Sequence, residues 1–215
     1  MVAARAFTAS LLVFVPFVGA ACSGGTSSPV ETGDAPDASA SADVSRAIPQ
    51  VIFEGRLESS AENDCKDTGL LFTIGDFGNQ TLETKVPSKP IKDGETFAQE
   101  TVSVSCTVSP SGSDEFNVAG SVALSGATGG VFRIDGKLKA TGEQTGIHAT
   151  FSSGRSANTY EQTDRACIVR YATPFQGVAA GRVWGEITCP KAENVSAQTS
   201  CAATAQFRFE NCTQE

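Results

Sequence analysis

The sequence predicts an all-β protein, an antiparallel β-sandwich of about nine or ten strands with a closed β-barrel as the alternative. Three observations carry the prediction. After Pro49 apolar residues recur with a period of two, the spacing of half-buried strands. Glycine is abundant at 21 residues, and the aromatic content is 13 Phe against two Tyr and one Trp, a composition suited to strands, tight turns and a Phe-rich core. No window carries a helical stripe longer than one turn.

Val51, Phe53, Gly55 and Leu57 alternate with Ile52, Glu54, Arg56 and Glu58 in the first predicted strand. Leu70, Phe72 and Ile74 form a short second one, ended by the turn-formers Gly75-Asp76 and Gly78-Asn79. Val102, Val104, Cys106 and Val108 alternate with Thr101, Ser103, Ser105 and Thr107, which places Cys106 on a core face. A meander follows. Phe116, Val118, Gly120, Val122 and Leu124 share one phase, and after a turn at 126–130 so do Phe132, Ile134, Gly136, Leu138 and Ala140. Arg133, Asp135, Lys137 and Lys139 point the other way. A turn at 141–146 leads to Ile147, Ala149 and Phe151, with His148, Thr150 and Ser152 opposite. Cys167, Val169 and Tyr171 follow a less regular stretch, and two last strands are expected over 178–189 and 201–211. One-sided strands in this number must close or stack to bury their apolar faces.

The N-terminal segment sets the compartment. Leu11–Val18 is apolar behind a start whose only charge is Arg5, and Gly19, Ala20 and Ala21 lead into Cys22. GAAC resembles the bacterial lipobox, with Gly19 where that family prefers Leu or Val, and the resemblance covers only the signal. It implies that Cys22 is lipidated and becomes the mature N-terminus. The apolar run falls short of the roughly 20 residues of a spanning helix. The expected organisation is a lipoprotein signal peptide over 1–21, a flexible Ser/Ala/Gly/Asp/Pro tether over 22–48 and one disulfide-stapled β domain over 49–215. A tether of this length reaches roughly 25–30 Å. The expected location is the bacterial cell envelope, lipid-anchored at the outer membrane on its periplasmic face or at the cell surface.

Lipidation of Cys22 leaves six of the seven cysteines, an even number for an exported domain. Cys65, Cys106, Cys167, Cys189, Cys201 and Cys212 are therefore read as three disulfides; their spacings contain no zinc motif. Cys189–Cys201 is the expected hairpin clasp, with Ile187 opposite Ala203 and Val183 opposite Phe207. That register also sets Arg182 near Arg208, which opposes it. Of the pairings left open, Cys65–Cys106 is favoured as nearest in sequence.

A net charge of −8 argues against nucleic acid and anionic lipid headgroups as partners. The expected partners are the membrane, through the N-terminal lipid, and an envelope protein or glycan. No nucleotide loop, nucleophile elbow or metal motif is present, and no cofactor, metal or catalytic residue is assigned. His148, the single histidine, is read as an exposed strand residue without a task. Glu62, Asp64 and Asp67 resemble a calcium loop only in composition. Trp184, with Arg182 beside it, is the candidate contact residue because it occupies the polar phase of its strand. The expected function is a non-enzymatic binding or structural β domain on a lipid anchor, most plainly contrasted with an envelope hydrolase using carboxylates and with a carrier of an apolar ligand.

Overall fold

The computed structural model describes residues 47–60, 63–79, 86–155, 158–194 and 196–215. The expected signal peptide, Cys22 and all but the last residues of the tether lie outside the described residues. The described residues form one compact unit.

The all-β class holds. The strands are β1 (Gln50–Glu58), β2 (Gly69–Ile74), β3 (Ile91–Lys92), β4 (Thr96–Phe97), β5 (Glu100–Pro110), β6 (Glu115–Leu124), β7 (Gly130–Lys139), β8 (Gln144–Ser153), β9 (Asn158–Glu161), β10 (Cys167–Arg170), β11 (Gly177–Ala179), β12 (Arg182–Asn194) and β13 (Thr199–Glu210). They share one continuous sheet in the order β2-β1-β13-β12-β10-β8-β7-β6-β5-β4, with β3 on β1, β11 on β12, and β9 joining β8 to β12. All of these strand pairs are antiparallel.

The β5 edge does not stay open. The turn between β3 and β4 bonds it, Gly94 N donating to Val102 O at 2.9 Å and Val102 N to Glu95 O at 2.9 Å. Further along, Val108 N donates to Thr213 O at 2.8 Å, and Thr213 N to Cys106 O at 2.9 Å. Because β3 pairs with β1, the two ends of the sheet are drawn together around one core, as the barrel alternative requires. Closure of this kind removes an edge that would otherwise template aggregation.

Inward residues supply the core. Phe132 is fully buried and its ring centroid lies 4.7 Å from that of Phe53, 5.3 Å from Phe151 and 5.7 Å from Phe207. Gly120, in phase with this core, makes room for Phe209, since a Cβ there would sit 2.9 Å from its ring. The β7–β8 hairpin is tighter than the sequence suggests, because β8 begins at Gln144 rather than after Gly146. The buried Gln144 side chain organises the turn: its Oε1 accepts from Lys139 N at 2.8 Å, and its Nε2 donates to Thr141 O at 2.8 Å and Gly142 O at 2.9 Å.

All six cysteines of the domain are paired, but in another pattern than expected. The bridges are Cys65–Cys201, Cys106–Cys212 and Cys167–Cys189. The expected Cys189–Cys201 clasp and the favoured Cys65–Cys106 bridge are thus both corrected. The cause lies in the β12–β13 register, shifted by two from the expected one: Ile187 faces Ala205 and Val183 faces Phe209. The shift sets Arg182 against Glu210 and Arg208 against Trp184, which removes the Arg182–Arg208 repulsion. Cys189 turns instead to Cys167 on β10, next to the Ile168–Thr188 pair.

Candidate functional site: an outer groove and the His148 clamp

The outward face of β5–β7 holds a groove of about 480 Å³. Strand register builds it. Ser105, Ser121 and Arg133 form one row across the strands, and Thr107, Ala119 and Asp135 the next. Small side chains on β5 and β6 make a low floor, the longer ones of β7 form one wall, and Pro49 and Thr213 form the other. Thr213 is held in place by a 2.7 Å hydrogen bond between its hydroxyl and that of Thr107, and by the neighbouring Cys106–Cys212 bridge.

His148 lies beside the β7 wall, opposite Asp135. Its Nδ1 is 2.6 Å from Asp135 Oδ1 and its Nε2 is 2.7 Å from Glu161 Oε1. Arg165 Nη2 donates to the other oxygen of Asp135 at 3.3 Å. Burial is the largest single influence on the imidazole and lowers its pKa, but the hydrogen bonds and charges of Glu161 and Asp135 together outweigh it and hold the pKa above 6.5. A neutral ring has one N–H and would present a lone pair to one carboxylate, whereas the imidazolium donates to both. The reading of His148 as an idle surface residue is therefore corrected: it ties β7, β8 and β9 together. Its partners are missed in the sequence because Glu161 reaches it across a poorly patterned stretch.

Trp184 is not an exposed contact residue. It does leave the core on the outward phase of β12, yet it is only 9% exposed. Phe77 stacks on it with ring centroids 6.2 Å apart and 19° between planes, and the Arg208 guanidinium lies 5.0 Å from its ring centroid. Arg208 donates in turn to Ser88 Oγ at 2.8 Å and Glu210 Oε1 at 2.6 Å. Segments flanking 80–85 thus cover this face, and Arg182 is left exposed at the strand start without an exposed Trp beside it. The two tyrosines are engaged as well. Tyr160 is 1% exposed and donates to Asp67 Oδ2 at 2.7 Å; Tyr171 donates to Lys139 O at 3.0 Å, and burial pushes its pKa up to about 12.

In the acidic loop Glu62 lies outside the described residues. Asp64 Oδ1 accepts from Ser200 N at 3.0 Å, and Asp67 Oδ2 also accepts from Asn158 Nδ2 at 2.7 Å. Both carboxylates pin the loop around Cys65–Cys201, and among the described residues no group of three metal-ligating side chains converges. For the carboxylate alternative, register places Glu54 and Glu186 on either side of Gln206. They line a depression of about 310 Å³, with Glu54 3.6 Å from Arg56.

Fold and site together define a disulfide-stapled, closed antiparallel β domain with an external groove. Compared with known proteins, the chain matches no family model, no curated protein and no solved structure.

Proposed function

We propose that this chain is a lipid-anchored protein of the bacterial cell envelope whose β domain binds an envelope component through its outer surface and carries out no reaction of its own. The observation that carries the binding role is the groove on β5–β7, lined by carbon-rich surface with a few polar groups, Ser105, Ser121, Arg133 and Asp135 among them, and of a size within the roughly 300–1,000 Å³ of small-molecule sites. The anchor rests on the lipobox-like GAAC at Cys22 and on the pairing of the other six cysteines.

Other features favour binding over chemistry. His148 has both ring nitrogens engaged by carboxylates, so neither is turned to a hydroxyl or thiol nucleophile. Glu54 and Glu186 lie on an open, solvated face rather than in a cleft that excludes water. Phe rings fill the inward phase where a carrier would need space for its ligand.

The test is made on the full chain in bacterial cells. Wild-type protein is expected in the membrane fraction with acyl chains on Cys22, and Cys22→Ala in the soluble fraction. Detergent-solubilised wild-type protein is expected to sediment with isolated cell-wall and surface-polysaccharide material. An unacylated mature mass removes the anchor. Protein that stays in the supernatant with every envelope preparation removes the binding role.

A further inference from the structure

We propose that the β5–β7 groove takes a carboxylate-bearing sugar, a uronic acid residue of a polysaccharide, with Arg133 holding the carboxylate. The proposal rests on the reading of this groove as the binding surface and names its ligand class.

Arg133 is exposed on the groove wall and takes part in none of the ion pairs among the described residues. The nearest competitor along its own strand is Asp135, two residues on and also in the groove. Both Asp135 oxygens are occupied elsewhere, one by His148 and one by Arg165. The guanidinium is thus left open, and its planar fork matches a carboxylate in two parallel hydrogen bonds. One cation faces one negative charge here. A dianionic phosphate would leave charge uncompensated beside Asp135, since Arg133 is the one cation among the described residues that line the groove.

The floor selects the rest of the ligand. Ser121 and Ser105 lie in line with Arg133 on the two neighbouring strands, so their backbones are about 5 and 10 Å from it at the usual strand spacing. Each hydroxyl both donates and accepts; at the far side the Thr107 hydroxyl is bonded to that of Thr213, which donates to Cys106 O, so these two are left as acceptors only. Vicinal sugar hydroxyls meet such a floor over the length of a pyranose ring and its neighbour. A peptide would instead seek pockets for apolar side chains, and the outward apolar side chains here are Ala119 on the floor and Pro49 on the wall, since Val104, Cys106 and Ile134 turn into the core.

Trimers of galacturonate, glucuronate and mannuronate, with their methyl esters and triglutamate, are titrated calorimetrically into the detergent-solubilised full chain. At least one acid trimer is expected to bind, its methyl ester at least tenfold more weakly, and triglutamate at least tenfold more weakly. Arg133→Gln is expected to lose tenfold or more, Arg133→Lys less, and Arg155→Gln, at an exposed arginine outside the groove, nothing. Failure of every acid trimer to bind overturns the proposal, as does equal binding of acid and ester, wild-type affinity in Arg133→Gln, or equal binding of triglutamate. The two readings fail separately. Trimer binding without sedimentation on envelope material removes the envelope role alone; sedimentation unaffected by Arg133→Gln and by the trimers removes the sugar-acid assignment alone.

Discussion

Two outward faces of the same sheet have opposite fates. At one end of β1, β12 and β13 the outward phase carries Ile52, Trp184 and Arg208, and the chain covers it: Ile52 is fully buried and Trp184 nearly so beneath Phe77. On β5–β7 the outward phase carries Ser105, Ser121, Ala119 and Arg133, and it stays open as a groove. Large apolar outward residues draw a second layer because covering them gains hydrophobic free energy, about 25 cal/mol per Å². Small hydroxylated residues give a covering segment nothing to offset its ordering entropy. The conspicuous aromatic therefore marks structure, and the inconspicuous serines mark the accessible surface.

The comparison can be broken where closure of the sheet is strongest. The Cys106–Cys212 bridge spans 106 residues and secures the seam beside the groove, whereas Cys167–Cys189 spans 22. In the chain-entropy model these are worth about 5 and about 3 kcal/mol. Cys106→Ala/Cys212→Ala is expected to lose more stability in urea unfolding than Cys167→Ala/Cys189→Ala. The reverse order would mean that the seam does not depend on the bridge.

Trp184→Ala on the covered face is expected to cost about 3–5 kcal/mol, in the range of buried Trp truncations. The single Trp should emit to the blue and resist iodide quenching in the native protein. Red-shifted, readily quenched emission would place Trp184 in water and erase the contrast between the faces.

The clamp beside the open face should respond to pH. His148 faces Asp135 from β7 and Glu161 from β9, with Arg165 behind Asp135, and its pKa lies above 6.5 in the folded protein. The stabilisation is then fully present below pH 6.5 and is lost as pH rises through the raised value. Water screens the half-exposed carboxylates, so the change is under about 1 kcal/mol. Melting temperature followed from pH 6.5 upward should fall more in wild type than in His148→Gln; parallel curves would exclude the clamp. At the small end, Ser121→Ala on the open face should stay within about 0.5 kcal/mol of wild type. A larger loss would show that this hydroxyl serves the fold.

The alternation that defines β1, β5, β6 and β7 is plain in the sequence because each presents one apolar face to one core. The short strands β3, β4, β9 and β11 are not, since two to four residues are too few for a period to register. The disulfides escape for a different reason. Six cysteines allow 15 pairings, and a two-residue register slip moves Cys189 from one neighbour to another. The Arg182–Arg208 conflict is the legible sign that the expected register was unfavourable. The outward phase of Trp184 is also legible, but its cover comes from Phe77, far away along the chain. Likewise each residue of the groove is an unremarkable member of its own strand, and only strand order makes Ser105, Ser121 and Arg133 a row.

Asn211 Nδ2 donates to Ile48 O at 3.0 Å, just beyond the point where Gln50 pairs with Glu210. The start and finish of the domain therefore meet, and the path of its backbone is close to a ring in which the point of entry is arbitrary. A circular permutant that joins the ends through a short glycine linker and opens at the exposed 112–114 turn keeps the strand order and the three bridges. The place where the chain enters the barrel is thus separable from the surface that the barrel presents.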